Sequence, residues 1–334
     1  MGHHVVGVDT RSPEIERRRH TLIERLRRKV CGPRDLGQIN DQVFTLVAKY
    51  HPEILWIDKG LIIEPRTLLR VKDVSPKTVT VSYSPDDMLN PDNQSPQYLQ
   101  GIPLYDLHVS TKSYNVPELG EMGARAALFV NNAYCPQVHR PMVLTPEERR
   151  RVGGPVGFIG TYEAERAALL VWLAHQGVPV KIWGQWPKSG MRGVKNLTVM
   201  NASLWGEEYA KGLCAFDINL AFLKKKNRDL QTTRTMEIPA CGTFMLAERT
   251  NEHLDLFLEG QEAEFFGSPD ELLTKIRYYL DHEEERRRIA AAGLARCRRS
   301  GYGNPETLAK ILKHLADHHL IGSTRCQENS TIIT

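Results

Sequence analysis

Short runs of β-branched and aromatic residues recur along this chain, each separated from the next by a stretch whose apolar positions have helical spacing. In the first half they fall at residues 53–57 (EILWI), 78–83 (TVTVSY), 107–110 and 127–130. In the second they fall at 156–159, 178–183, 197–199, 218–222 and 244–247. Runs this short and apolar suit strands buried on both faces, and strands joined through helices run parallel. The alternation therefore predicts an α/β protein with doubly wound parallel sheets, which bind ligands at the carboxyl ends of their strands.

The 334 residues amount to roughly two ordinary domains. Residues 141–155 (PMVLTPEERRRVGGP) are bounded by Pro and Gly, heavily charged and without a core of their own, so they mark a boundary. The expected division is a first domain over 1–150, a second over 151–303, and a C-terminal helix and tail over 304–334. Helices are expected at 12–30 and 41–50, then at 163–176, 207–216, 232–241, 268–282, 283–300 and 304–319. Residues 322–334 read as a frayed tail. The opening GHHVVGVD reads as a strand of the kind that normally follows a helix. The first domain is accordingly expected to lack its first strand–helix unit, or Met1 to lie inside a longer reading frame.

The 12–30 helix sets Ile15, Leu22, Ile23, Leu26 and Val30 on one side and Arg17, Arg18, Arg19, Arg25, Arg27, Arg28 and Lys29 on the other. Such a face docks on an anionic membrane or is simply solvated. A formal charge of +4 permits an anionic ligand without requiring nucleic acid, which is not expected as a partner. No apolar run approaches the roughly 18–20 residues of a membrane span, and no apolar signal segment opens the chain. A cytoplasmic location is expected, with peripheral contact at the inner membrane face as its extension. Six cysteines without C-x-x-C spacing read as reduced thiols, and the twelve histidines show no H-E-x-x-H. No metal site and no cofactor are expected.

Residues 223–247, LKKKNRDLQTTRTMEIPACGTFMLA, concentrate the chemistry. Backbone N–H groups around Thr232, Thr233 and Thr235, at a helix N-terminus, suit phosphate oxygens. Arg234 and one of Lys224, Lys225 and Lys226 can neutralise a diphosphate, and Glu237, one turn inside the helix, can accept hydrogen bonds from the vicinal hydroxyls of a ribose. Read from composition alone, the same residues also describe a solvated basic loop before a capped helix.

RTMEIPACGTFML, then LEGQEAEFFGSPDELLTKIRYYLDHEEERRRIAAAGLARC and GYG, resembles the C-terminal domain of glycosyltransferases with the GT-B fold, and most of all the CgeB-like spore-maturation group. FIGTYEAER, KIWGQW and EEYAKGLCAFDINLAF precede it in the order of that family, so the resemblance covers roughly residues 157–303. It implies two Rossmann-like domains facing across a cleft, with a nucleotide-sugar co-substrate on the second and the acceptor on the first. It also implies a diphosphate leaving group stabilised without metal. Related enzymes carry two acids separated by seven residues. Glu237 matches the second, on the nucleotide ribose. Asp229 stands where Glu is usual, against the transferred sugar. The resemblance places Gly160 and Thr161 near the phosphates and Arg234 on the diphosphate, where the residues themselves already suggest Lys225 and Thr233. Trp183 and Gly184 fall where the base lies, with core burial the alternative for Trp183.

In the first domain Lys59, Asp86 and Asp87 follow strands. Asp86 and Asp87 are candidates for the base that deprotonates an acceptor hydroxyl, or SPDD merely caps a helix, and Lys59 can hold an anion or lie on the surface. The expected function is a metal-independent glycosyltransferase acting on a glycan, lipid-linked or protein acceptor of the cell envelope, with retention of configuration favoured over inversion. A non-catalytic sugar-binding envelope or spore-coat protein and a nucleotide-sugar epimerase are the alternatives.

Overall fold

The computed structural model describes residues 2–10, 12–24, 27, 32–187, 191, 193–318, 320–321 and 331–333. Two compact units divide the chain, Met1–Asn131 with Leu308–Thr334, and Asn132–Thr307. The break after Asn131 lies upstream of the expected one at 150, because residues just before the charged linker and in its first turns pack into the second core. Val138, Met142 and Leu144 pack against the buried cluster that contains Val152, Cys214 and Cys241.

The first unit runs β1 (His4–Val6), α1 (Pro13–Arg19), α2 (Ile39–Tyr50), β2 (Ile54–Asp58), α3 (Pro65–Val74), β3 (Val79–Ser84), α4 (Pro96–Gly101), β4 (Leu107–Ser110), α5 (Asn115–Glu121) and β5 (Ala127–Phe129). Ile39, Val43 and Val47 of α2 and Leu68 and Val71 of α3 cover one face with Leu55 and Ile57. The other face joins Val79, Val81, Leu107 and Val109 to Ile311, Leu312 and Leu315 of the C-terminal helix. The expected 12–30 helix is not continuous. Ser12 caps α1, which ends at Arg19, and the Thr21 hydroxyl accepts from Glu24 N–H at 3.3 Å to start another turn. Ile15 is buried while Leu22 and Ile23 are exposed, and Arg18 and Arg27 are spent on the carbonyls of Leu36 and Gly32. Arg25, Leu26, Arg28, Lys29 and Val30 lie outside the described residues.

The second unit restarts the alternation with α6 (Pro146–Val152), β6 (Gly154–Ile159), α7 (Ala164–His175), β7 (Val180–Trp183), β8 (Leu197–Val199), α8 (Gly206–Ala215), β9 (Phe216–Ala221), α9 (Thr233–Ala240), β10 (Met245–Glu248), α10 (Asn251–Leu256), β11 (Glu264–Phe266), α11 (Pro269–Asp281) and α12 (Glu283–Arg299). Its six strands are all parallel in the order β11-β10-β9-β6-β7-β8. The order reverses between β6 and β9, where a doubly wound sheet opens a ligand crevice at its carboxyl edge.

The chain returns to the first unit through α13 (Asn304–Asp317) and β12 (Thr331–Ile333), giving the order β1-β12-β2-β3-β4-β5. β12 pairs in parallel with β1 on one side and β2 on the other, and Ile332 and Ile333 are buried. It holds the place that β6 holds in the second sheet. The slot of the strand expected to be missing is thus filled, and residues 331–333 of the supposed frayed tail are an interior strand; residues 322–330 lie outside the described residues. Both sheets are Rossmann-like. Among the described residues no helix is long and apolar enough to cross a membrane.

Candidate functional site

The crevice position of the second sheet is bounded by the turn after β6, Gly160 and Thr161, and by residues 223–229 after β9. Arg166, on the first turn of α7, ties the two together. It donates Nη1 to Thr161 O at 2.7 Å and Nη2 to Leu223 O at 3.3 Å, and its guanidinium lies over the Phe158 ring. Burial pulls its pKa below the usual arginine value, with Glu163 at 3.5 Å acting the other way. The motif FIGTYEAER contains this residue, yet an arginine two positions into a helix reads from sequence as solvated.

Helix α9 points its N-terminus at the same crevice. The Thr232 N–H donates to Thr235 Oγ1 at 3.0 Å, and Thr233 stands exposed at the first helical position. Arg234 donates Nε to Ile159 O at 2.7 Å, which brings its guanidinium against the end of β6. A Cβ built at Gly160 would stand 2.6 Å from Arg234 Nη2, so any side chain there would displace the guanidinium. Gly184, at φ +141°, approaches from β7, and a Cβ there would lie 2.1 Å from Gly160 O. The structure thus brings together Gly160, Thr161, Gly184, Arg234 and, one turn along α9, Glu237.

Lys225 and Asp229 lie in the loop after β9. Lys225 pairs with Glu248, whose other oxygen accepts from Leu223 N–H at 2.8 Å. Asp229 accepts from Lys224 N–H at 3.2 Å and from Asn227 Nδ2 at 2.6 Å, so its carboxylate shapes the loop.

Glu237 is held by residues that sequence reasoning missed. Tyr209 of α8 donates its hydroxyl to Glu237 Oε2 at 2.6 Å, and His139 Nε2 faces Oε1 at 3.8 Å. Burial raises the Tyr209 pKa far above the usual phenol value, with the Glu237 charge adding to it. His139 stands between Pro136 and Pro141 in a stretch without periodicity, so no local pattern marks it.

Trp183 is core. Its indole is buried and donates to Val152 O at 2.8 Å, which removes it from base contact. The exposed indole is Trp205, 80% accessible, which immediately precedes α8 and stands one turn before Tyr209. Its loop is tied to the crevice by Gly184 N–H donating to Ala202 O at 2.8 Å.

In the first unit Asp86 pairs with Lys59, joining the carboxyl ends of β3 and β2. Asp87 is fully buried and accepts from Asn115 Nδ2 at 2.9 Å and Leu89 N–H at 3.2 Å. It braces its own loop, so of the two candidates only Asp86 is open to a substrate. Beside Lys59 lies a cavity of about 350 Å³, walled by Leu36, Val43, Leu55 and Ile333 and edged by Arg34 and Asp58. Among the described residues no three His, Cys, Asp or Glu side chains are grouped to hold a metal ion.

With this geometry the architecture can be set beside known proteins. HepE of Anabaena, solved with UDP-glucose, superposes at a TM-score of 0.59 with 13% identity over 85% of this chain and 84% of that one. Sucrose-phosphate synthase of Thermosynechococcus elongatus gives 0.57 and 11% over 85% and 78%, and a glycosyltransferase of Rickettsia africae 0.57 and 10% over 96% and 98%. The fold is GT-B. Residues 165–313, a little under half of the chain, match the family model Glyco_trans_1_2, described as glycosyl transferase-like. That span holds Arg166, Gly184, Trp205, Tyr209, Lys225, Asp229, Arg234 and Glu237, but not His139, Gly160 or Thr161. No curated protein matches the sequence.

Proposed function

We propose that this chain is a glycosyltransferase that moves a sugar from a nucleoside-diphosphate donor to an acceptor hydroxyl, within or near the CgeB-like group. The observation that carries it is the convergence of Arg234, the N-terminus of α9 and Glu237 on the carboxyl edge where the second sheet reverses its order. Arg234 has Nε committed to backbone and its outer nitrogens at Gly160, which suits two diphosphate oxygens. The exposed N–H groups of the first turn add partial positive charge at the same place. Lys225, released from Glu248, can neutralise the remainder. Negative charge developing on the departing diphosphate is stabilised by groups already in position, so the reaction needs no metal.

One turn further along α9, Glu237 accepts from ribose hydroxyls, and Trp205 offers a flat apolar face for the base. UDP is the proposed nucleotide, since HepE of the same fold is solved with UDP and with UDP-glucose. The transferred group is then a hexose set against Asp229. Asp86 is the acceptor base, held in place by its ion pair with Lys59, and the cavity beside Lys59 takes the acceptor, an envelope glycan or its lipid-linked precursor. Retention of configuration is the favoured course, and the protein works in the cytoplasm.

The test is the melting midpoint against UDP, GDP, CMP, TDP and ADP, each with and without EDTA. A ligand confined to the folded state raises the midpoint. A rise with UDP, unchanged by EDTA and abolished in Glu237→Ala, supports the reading. No rise with any nucleotide ends it.

A further inference from the structure

Glu237 is set up more specifically than a carboxylate that merely reaches solvent. Its Oε2 takes the Tyr209 hydroxyl at 2.6 Å, a short charge-assisted bond that fixes the side-chain rotamer. Its Oε1 is turned to His139 Nε2, 3.8 Å away, too far for a hydrogen bond between them. The His139 ring has its tautomer decided on its far side. Cys135 N–H donates to Nδ1 at 3.1 Å, so Nδ1 carries the lone pair and Nε2 carries the proton that points at Glu237. Burial lowers the His139 pKa below the usual imidazole value, which keeps the ring neutral near pH 7. The ring is braced edge-on against Tyr209, with centroids 5.7 Å apart and planes at 84°. His139 and Glu237 side chains are 11% and 14% exposed, so both groups are largely covered yet keep some solvent access.

An N–H donor and a carboxylate acceptor separated by 3.8 Å leave room for one hydroxyl oxygen at hydrogen-bond distance from each. That oxygen accepts from Nε2–H and donates to Oε1, which uses both functions of an alcohol at once. A carbonyl, an ether or a C–H in its place satisfies at most one of the two.

We propose that His139 is a donor-binding residue: its Nε2–H and Glu237 Oε1 jointly hold one ribose hydroxyl of the nucleotide, with Tyr209 positioning the carboxylate. The proposal rests on the donor-site reading above and goes beyond it by naming how a ribonucleotide is told from its deoxy counterpart.

The experiment is titration calorimetry with UDP, GDP and ADP and the 2′-deoxy and 3′-deoxy form of each, on the wild-type chain and on His139→Ala, His139→Gln and Tyr209→Phe. The wild type is expected to bind one ribonucleotide about tenfold or more tightly than one of its deoxy forms, the scale of a hydrogen bond to a charged group. His139→Ala and Tyr209→Phe should each bring that ratio towards one while leaving the affinity for that deoxy form within about twofold. His139→Gln, which keeps an N–H near the same place, should retain most of the ratio. If His139→Ala and Tyr209→Phe bind nucleotide with the wild-type ratio, the proposal is wrong and the donor site stands. If His139→Gln behaves as His139→Ala, the histidine acts through packing and the proposal is equally wrong. Failure of the wild type to bind any of the nucleotides removes the donor site, and this inference with it.

Discussion

Arg234 donates its Nε to the carbonyl oxygen of Ile159 across 2.7 Å, joining the first turn of α9 to the end of β6 over 75 residues of sequence. One edge of the guanidinium is thereby fixed, and the outer nitrogens are left to whatever anion arrives at Gly160. A lysine cannot do both, because its single nitrogen must either take the carbonyl or face the ligand. Arg234→Lys is expected to weaken UDP binding by at least about tenfold, the scale of a charge-assisted hydrogen bond. The melting midpoint without nucleotide should hardly move. Calorimetry that returned wild-type affinity would remove Arg234 from the diphosphate.

Trp205 makes a separable prediction. An indole that is 80% exposed contributes little to folding, so its role is sought in binding. Stacking of a base on an aromatic ring is worth about 1–3 kcal/mol. Trp205→Ala should therefore lose about five-fold or more in nucleotide affinity with an unchanged urea midpoint. Equal affinities for the two proteins would take the base away from this face.

Gly184 is a case of backbone fit. Its φ of +141° and the 2.1 Å approach of a built Cβ to Gly160 O leave no place for a side chain. Gly184→Ala is expected to cost more than about 2 kcal/mol, since strain and displacement of the β6 turn add. Urea unfolding measures it, and a loss below about 0.5 kcal/mol, the scatter of ordinary surface substitutions, would show that the turn yields freely.

Acid should strip the second unit of a specific ion network. Arg249 bonds Glu259 and Glu271, and Lys275 bonds Glu259 and Glu264. The Arg249 hydrogen bond, with help from Gly267 N–H and Lys275, pulls the Glu271 pKa from 4.5 to about 2. A carboxylate whose folded-state pKa is depressed adds stability that is complete above its unfolded value and fades as pH falls through the folded one. Glu271→Gln should thus be less stable than wild type at pH 7, with the difference shrinking between pH 4.5 and 2. A difference that stays constant over that window would show that Glu271 does not depend on its charge.

The sheets were legible because strands buried on both faces need unbroken apolar runs, whereas the charge of residues 223–247 singled out that stretch without deciding between an anion site and a solvated loop. Identity within a class was not. Trp183 and Trp205 are both tryptophans beside glycine, and only the packing of Val152 against one of them decides which indole meets solvent. The break after α1 was hidden because Leu22 and Ile23 continue a helical spacing that Thr21 interrupts by hydrogen bonding. His139 lies in a proline-flanked stretch with no periodicity, and its partner Glu237 is 98 residues away, so nothing local marks it. Three residues such as those of β12 carry too little pattern to be read as a strand at all.

That strand has a consequence for how the protein is made. β12 sits between β1 and β2, and all of residues 132–307 leave the ribosome before it does. The first sheet therefore spends the synthesis of the whole second unit with two parallel strand edges open, both of which are templates for illegitimate pairing. Parallel pairing over so long a separation forms slowly. The second unit, contiguous in sequence, can fold on emergence, while the first must wait as an incomplete sheet. Yield in the cell is then governed by how long that gap stays open, and a chaperone that shields the edges of β1 and β2 would be felt there before anywhere else in the molecule.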